Sequence, residues 1–511
     1  MKTYDVVVIG SGAGGLAATT TAARAGLSVL LLEASSEFGG YINPFKRRGY
    51  TFDTGLHYLG QLGEGQSFYR LLEAIGVAHR VEFIELNPEG FDKHIFADYS
   101  YEFNIPKGKE RLREKLVADF PKEKKGIDRF IKILEEAAAA SKLMSRFSVR
   151  NLLKALPSIP LLFKLMRSTY GKLLDGITKD PLLKATLAAN WGTCGLPPKY
   201  ASAFIMLMIW SHYLDGGYYP KGGSGALKQA FIDEASEHGA ELKNKSKVKR
   251  IARKGELFQV ETEAGELFGA RAVISNADPL ITYTELCEPE MVPKALLLKA
   301  KRMKYSVGTL YAFVGTDIDL GAYGMTDANL SHHGSVDMDA EFEAALAANE
   351  PVVPSSFFMT STTLKDPQGK HAPQGKHTLE VITLARFEPF KAWADKPSMK
   401  RGREYEEMKK KLGYELLKKV EAYIPNLTSR LDHVEFATPL SNLYWVNAPF
   451  GATYGPDHTP NQVGPGRFSI ASPIKGLFLC GAGTLGCGVA TCIASGYMAG
   501  KKAAKYLGKK S

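Results

Sequence analysis

Three stretches of this chain have residue types at spacings that chemistry can use. They are a glycine-rich turn near the amino terminus, a histidine–tyrosine pair shortly after it, and a second glycine-rich turn near the carboxyl terminus. The first, Gly10-Ser11-Gly12-Ala13-Gly14-Gly15, follows the apolar run Val6 to Ile9 and precedes a small-residue stretch through Ala23. Strand, tight turn and helix are expected in that order. Gly10 permits the turn, Gly12 lets backbone approach a pyrophosphate, and Gly15 lets the helix pack on the strand. The helix N-terminus supplies unpaired N–H groups and a positive dipole end for phosphates. A second apolar run, Val29 to Leu32, ends in Glu33, about the ~20-residue distance at which a carboxylate meets a ribose hydroxyl.

A GxGxxG turn leaves FAD and NAD both open. The next glycine pair, Gly39-Gly40 after Glu37-Phe38, resembles the second flavin-contact motif of FAD-binding chains of the amine oxidase and phytoene desaturase type. FAD is therefore the expected cofactor. Near the carboxyl terminus, Gly481, Gly483 and Gly486 repeat the GxGxxG spacing ahead of a helical stretch, Val489 to Leu507. Too few residues follow to build another strand with its acidic partner, so a second dinucleotide site is rejected. Instead Gly481, Gly483, Gly488 and Val489 are expected at the flavin's pyrimidine edge, where the helix dipole favours the negative charge of the reduced ring. With no second nucleotide fold, an electron donor has to come from a partner or share the same cleft.

Proton chemistry points to His57 and Tyr58, in the Gly-rich, aromatic and basic loop Tyr41 to Gly60, and to His212 farther on. A hydrogen-bonded structural role for His57 stands beside the catalytic one. Asp53 is expected to fix this loop. His332-His333 has no third ligand near it in sequence and is expected as a surface turn, not a metal pair.

The elements that hold these residues follow from pattern and composition. With 511 residues, 45% of them hydrophobic and 23% charged, the chain has material for two or three domains with sizeable cores. Phe91 to Phe103 alternates like a strand pair, and Lys109 to Glu136 has helical periodicity. Ala203 to Trp210 is too apolar for a surface helix, and is expected in the core or along a tunnel for a greasy substrate. Met291 to Thr438 suggests a mixed sheet with helices, with irregular inserts such as Ser331 to Asp339 and a solvated helix from Tyr405 to Tyr423. The five cysteines are odd in number and form no CxxC pair, so neither a disulfide framework nor a zinc site is indicated. Cys487 and Cys492 are expected as small buried residues. No signal peptide and no run of the roughly 18 apolar residues a spanning helix requires are visible.

The net charge of +11 has one obvious concentration. Between Glu136 and Asp175 no acidic residue occurs, while Lys142, Arg146, Arg150, Lys154, Lys164, Arg167 and Lys172 alternate with leucines and other aliphatics. That pattern suits an element lying in a membrane interface, so peripheral membrane contact through 142–172 and a reducing, cytoplasmic location are expected. Nucleic acid is disfavoured because the interleaved residues are aliphatic and not stacking aromatics.

These residues carry a resemblance. Gly10 to Gly15, Gly39-Gly40, Phe52 to Gly60, His212-Tyr213 with Tyr218 to Ser224, Ile274 to Ala277, and Pro439 to Asn442 with Ala448 to His458 are similar to motifs of the phytoene desaturase-like FAD oxidoreductases. Within them the chain resembles the branch of the retinol saturases, with carotenoid isomerases as relatives. Tyr41-Ile42 stands where the retinol saturases carry cysteines. The resemblance implies an α/β fold with a discontinuous Rossmann-type FAD-binding domain (1–90, 215–290 and 470–511). It also implies an inserted helical, membrane-facing region (91–214) and a mixed-sheet substrate domain (291–469), with backbone at Val248 meeting the adenine. It implies an oxidoreductase that saturates or desaturates a carbon–carbon bond of a hydrophobic polyene lipid. A redox-neutral isomerase and a non-catalytic flavin-bound lipid carrier are the competing readings.

Overall fold

The run Val6-Val7-Val8-Ile9 is apolar on both sides of its pleat, which suits a strand covered on both faces. In the computed structural model, which describes residues 1–145 and 158–509, it ends the strand Lys2–Ile9 and is fully buried. This strand lies parallel to Val29–Leu32 on one side and to Leu267–Ser275 on the other. Glu241–Lys243 extends the sheet beyond Val29–Leu32, and Leu477–Leu479 adds a parallel strand against Leu267–Ser275. The antiparallel pair Val248–Lys254 and Leu257–Thr262 completes the seven strands.

The helix Ala13–Arg24 packs against Ser224–Glu237 and, more extensively, against the carboxyl-terminal helix Val489–Tyr506. Small residues make that second contact possible. A Cβ at Gly496 would stand 2.0 Å from the Gly14 carbonyl oxygen, and one at Gly500 2.9 Å from that of Ala18. Backbone therefore meets backbone, and the two ends of the chain close on each other.

A second seven-stranded sheet runs in the order Leu431–Ala437, Gly308–Thr316, His377–Ala385, Phe357–Thr360, Asn329–His333, Asp92–Phe96 and Tyr101–Ile105. Its pairs are antiparallel except Asn329–His333 with Asp92–Phe96. The hairpin from the 91–214 stretch thus joins a sheet otherwise built from 308–437. Each large sheet has its own apolar core.

Several sequence expectations are corrected. His332-His333 is not a surface turn: both belong to the strand Asn329–His333, and His333 is buried. The polar stretch Ser331 to Asp339 is accordingly ordered, ending in a helix, Met338–Ala347, capped by the Asp337 side chain. The helix Arg403–Val420 is not solvated all round, because Tyr405, Leu412, Leu416, Leu417 and Val420 are buried where it packs on the second sheet. Mixed charge hid an apolar stripe of helical period. Lys109 to Glu136 is two helices, Lys109–Asp119 and Lys124–Ser145, interrupted at Pro121, a residue that cannot continue an α-helix interior. Of the two roles expected for Ala203 to Trp210 the core one holds, since none of these residues lines the large cavity. Asn190 to Thr193 line that cavity, whereas Ala203–Tyr213 is a helix with Met206, Leu207 and Trp210 in the core.

Of the basic stretch, Arg146, Arg150, Lys154 and the side chain of Lys142 lie outside the described residues. Within them, the helix Ile159–Arg167 buries Leu162 and Leu165 and exposes Phe163, Lys164 and Arg167, Phe163 to 49%. Among the described residues no helix is long and apolar enough to cross a membrane.

Candidate active site

A large cavity of about 1420 Å³ runs between the two sheets, lined at one end by Gly10 to Gly14, Glu33 and Val248, and elsewhere by His57, Trp191, Phe342 and Phe358. One drug-sized ligand occupies roughly 300–1,000 Å³, so this volume suits an extended cofactor together with a second molecule.

The glycine-rich end is built from backbone. Gly10 has φ of 86°, a left-handed conformation open to glycine. Gly12 caps the helix Ala13–Arg24 with no side-chain bond to the first-turn N–H groups. At Gly14 a Cβ would stand 2.6 Å from Asn276 Oδ1, 2.9 Å from the Gly481 nitrogen and 3.1 Å from the Cys492 carbonyl oxygen. Three segments converge there too tightly for any side chain. Gly15 does not line the cavity; a Cβ on it would sit 1.9 Å from the Gly10 oxygen, so it serves close helix–strand packing.

Glu33 is held by its surroundings. Its Oε2 accepts from Ser11 N at 2.8 Å and from Ser11 Oγ at 2.6 Å, and its Oε1 accepts from Ser35 N at 2.8 Å. A carboxylate has about four lone-pair sites, so capacity for a ribose hydroxyl remains. Ser11 Oγ also accepts from Gly39 N at 3.0 Å, which ties the second glycine pair to the first. Gly40 lines the cavity and Gly39 stands just behind it, at φ of 115°. Gly481, Gly483, Gly488 and Val489 line the cavity as well, and Gly488 opens the helix Val489–Tyr506 without a side-chain cap. Cys487 N donates to His458 Nε2 at 3.1 Å, which pins this loop. Burial raises the Cys487 thiol to about 11 and the Cys492 thiol to about 12, so both stay protonated near neutral pH. The uncapped helix, the glycine crevice and the fixed carboxylate fit the pyrophosphate and ribose of FAD.

The proposed proton-handling residues separate once the chain is folded. His57 lines the cavity; its Nε2 is 3.0 Å from the Tyr311 hydroxyl, and its Nδ1 lies 3.1 Å from Glu380 Oε2, off the angle of a good hydrogen bond. Burial, with Lys365 nearby, lowers its pKa to about 3, so the ring is neutral. Tyr58 also lines the cavity, stacks on Tyr213 at 4.4 Å and donates to Asp92 Oδ2 at 2.8 Å. Burial holds its hydroxyl well above the usual tyrosine range. His212 is a correction: it is not among the lining residues, and its Nε2 accepts the Gly60 N–H at 2.9 Å. It braces the strand pair Leu59–Gly60 and Gly217–Pro220.

Sequence reasoning missed the groups behind His57. Glu380 comes from the second sheet and Lys365 from the short helix Thr362–Lys365 between two of its interior strands, over 300 residues away in sequence, and both are buried beside Asp53. Lys365 Nζ donates to the His57 carbonyl oxygen at 2.6 Å, to Asn329 Oδ1 at 2.6 Å and to Thr360 Oγ1 at 2.5 Å. Asp53 accepts from Ser224 N at 3.1 Å, Ser224 Oγ at 2.5 Å and Tyr219 OH at 2.5 Å, whereas its own N–H donates to Glu380 Oε1 at 2.9 Å. Two buried carboxyls thus face one buried ammonium, so charge balance favours one protonated carboxyl. Asp53, with three donors, is the better anion. Glu380 keeps the proton, and burial raises its pKa to about 8. Polar residues on alternate positions of an apolar strand, such as Thr378 and Glu380 in His377–Ala385, were the only available signal.

Comparison with known proteins agrees with this geometry. The model of the flavin containing amine oxidoreductase family matches residues 13–507. The chain is 29% identical to all-trans-retinol 13,14-reductase of Danio rerio, over 95% of this chain and 83% of that protein. It is 26% identical to the chloroplastic prolycopene isomerase of Arabidopsis thaliana, over 99% and 83%. Putrescine oxidase bound to putrescine shares the fold, with a TM-score of 0.64 at 16% identity and 99% of each chain covered. The glycine crevice, the fixed Glu33 and the match over nearly the whole length together make this chain a member of the flavin-containing amine oxidoreductase family, with FAD as its cofactor.

Proposed function

We propose that this flavoenzyme adds hydrogen across a carbon–carbon double bond of a polyene lipid of the retinoid or carotenoid class. The observation that carries the reading is one cavity with the FAD cradle at one end, an aromatic and aliphatic wall of Trp191, Phe342, Phe358, Ile382 and Leu384, and the His57–Tyr311 pair on its lining. Its similarity to retinol reductases supports the reaction type. When bound and reduced, FAD supplies hydride to one carbon of the double bond. The chain's residues handle the proton. Tyr311 stays protonated, because burial holds its hydroxyl well above the usual range. As the Tyr311 hydroxyl gives its proton to the second carbon, neutral His57 returns one to it and is replenished from Glu380. Lys365, anchored on the His57 backbone, holds the loop in place and balances the negative charge left on Glu380.

The similarity to prolycopene isomerases favours a second reading, isomerisation without net redox change. Product mass separates the two. Anaerobic incubation of the reduced holoenzyme with all-trans-retinol or a carotene is expected to give a product two hydrogens heavier. An unchanged mass with altered double-bond geometry would establish isomerisation instead.

Membrane contact belongs to the same proposal. The exposed Phe163 beside Lys164 and Arg167 suits an interfacial element that passes a greasy substrate to the cavity. Co-sedimentation with liposomes is expected to require anionic lipid and to weaken as salt rises. Binding that is indifferent to charge reversal at Lys164, Arg167 and Lys172 would remove this element from the interface.

A further inference from the structure

We propose that the helix Lys294–Arg302 docks on an anionic lipid bilayer, as a second element beside the helix Ile159–Arg167. The inference rests on the membrane reading above and adds a surface to it. Acid-free sequence marks the place. No aspartate or glutamate occurs from Met291 to Thr316 or from His458 to the end of the chain, just as none occurs between Glu136 and Asp175.

Each helix turns the same kind of face outward. Lys294, Leu298, Lys301 and Arg302 stand at i, i+4, i+7 and i+8 and share one side of their helix, while Leu296, Leu297 and Ala300 pack on the core of the first sheet. The cations there are exposed, and Leu298 among them is 42% exposed. Pro160, Phe163, Lys164 and Arg167, at i, i+3, i+4 and i+7, repeat the arrangement around an exposed phenylalanine. Among the described residues none of these cations forms an ion pair. Of the acids just ahead of Lys294, Glu288 pairs with Arg250 and Glu290 is exposed.

One loop fixes the two helices side by side. Met166, next to Arg167, lies against it, its sulfur 3.1 Å from where a Cβ on Gly464 would stand. Lys299, next to Leu298, donates to the Arg467 carbonyl oxygen at 2.6 Å and to that of Pro465 at 3.4 Å. The two exposed faces therefore flank the loop, which itself exposes Asn461, Gly464 and Pro465 and no charged side chain. Arg467 in turn donates at 2.8 Å to the carbonyl oxygen of Ala482, a residue of the cavity wall, and so ties this surface to the cavity. Cations around an apolar tip suit a bilayer, where ammonium and guanidinium groups meet lipid phosphates and the tip enters the acyl layer. An acidic protein would pair with the cations but gives Leu298 and Phe163 no such layer.

The test is co-sedimentation of the FAD-loaded protein with phosphatidylcholine vesicles, with and without phosphatidylserine. A cation near an anionic leaflet contributes about a fivefold factor, so Lys294→Gln, Lys301→Gln and Arg302→Gln together are expected to weaken binding to the anionic vesicles roughly 100-fold. Leu298→Ser alone should weaken it several-fold. Flavin content and melting temperature are checked in each variant. A triple variant that binds like the unsubstituted protein overturns this element, and the reading of Ile159–Arg167 stands if charge reversal there still weakens binding. Failure of the unsubstituted protein to bind either vesicle overturns both. Equal binding to the two vesicles also overturns the proposal. A loss in the triple variant with none in Leu298→Ser assigns the face to an anionic partner other than a bilayer, and overturns it too. If the triple variant loses its flavin, Leu298→Ser and the single substitutions decide by the same criteria.

Discussion

Replacing His57 with phenylalanine is expected to lower turnover by roughly 10²–10⁴-fold, the range for losing a positioned proton carrier, while the protein stays folded and yellow. The ring's shape is kept, and the Lys365 contact survives because it is made to the His57 backbone oxygen and not to the side chain. What is lost is the pair of ring nitrogens that stand 3.0 Å from the Tyr311 hydroxyl and 3.1 Å from Glu380 Oε2, leaving only the long direct contact of 3.4 Å from Tyr311 OH to Glu380 Oε2. Turnover should be measured at matched flavin content; an unchanged rate would take His57 out of the mechanism. The pH dependence gives an independent check. In the reductive direction Glu380 has to hold its proton, so the rate is sustained below about 8, where burial places its pKa, and falls as pH rises through that value. Glu380→Gln should flatten this limb. A limb that persists unchanged in that variant would assign it to another group.

The second large effect is expected far from the chemistry. Gly496→Val should strip the protein of FAD and lower its melting temperature, although Gly496 does not line the cavity. The first added carbon would stand 2.0 Å from the Gly14 carbonyl oxygen, which is backbone and has no rotamer to turn aside. The two helices have to separate, and overpacking of this kind costs about 1–3 kcal/mol, sometimes more. Their separation would move Gly14 away from the Gly481 nitrogen and open the glycine crevice proposed to receive the pyrophosphate. Flavin absorbance per protein, read alongside thermal unfolding, measures both consequences. Full flavin occupancy at an unchanged melting temperature would show that the helix contact does not set the phosphate end.

The cofactor end of the cavity was legible because its determinants are local. A strand, a three-glycine turn, a helix start and a carboxylate after the next strand fall within Val6 to Glu33, and each role follows from backbone sterics or a short-range hydrogen bond. The carboxyl-terminal turn was legible for the same reason, but its meeting with the first helix depends on Gly496 and Gly500, whose importance appears only when another backbone lies against them.

Much of the remaining site has no local signature. His57 stands out as a histidine in a glycine-rich loop, yet nothing near it in sequence announces Tyr311, Lys365 or Glu380, which two other segments bring to it. His212 stood behind His57 as a candidate, and the fold turns its Nε2 onto the Gly60 N–H and off the cavity lining, because a histidine's role depends on what its nitrogens face. His332-His333 looked like a turn, since a polar strand buried against another strand has the same composition as a loop. By itself the sequence determined the glycine turn between strand and helix, the buried parallel strands and the kind of cofactor, all of them consequences of near-neighbour geometry. Only the tertiary structure decided which acids and bases share a wall, because burial and long-range pairing, not residue type, set the charge and the partners of each.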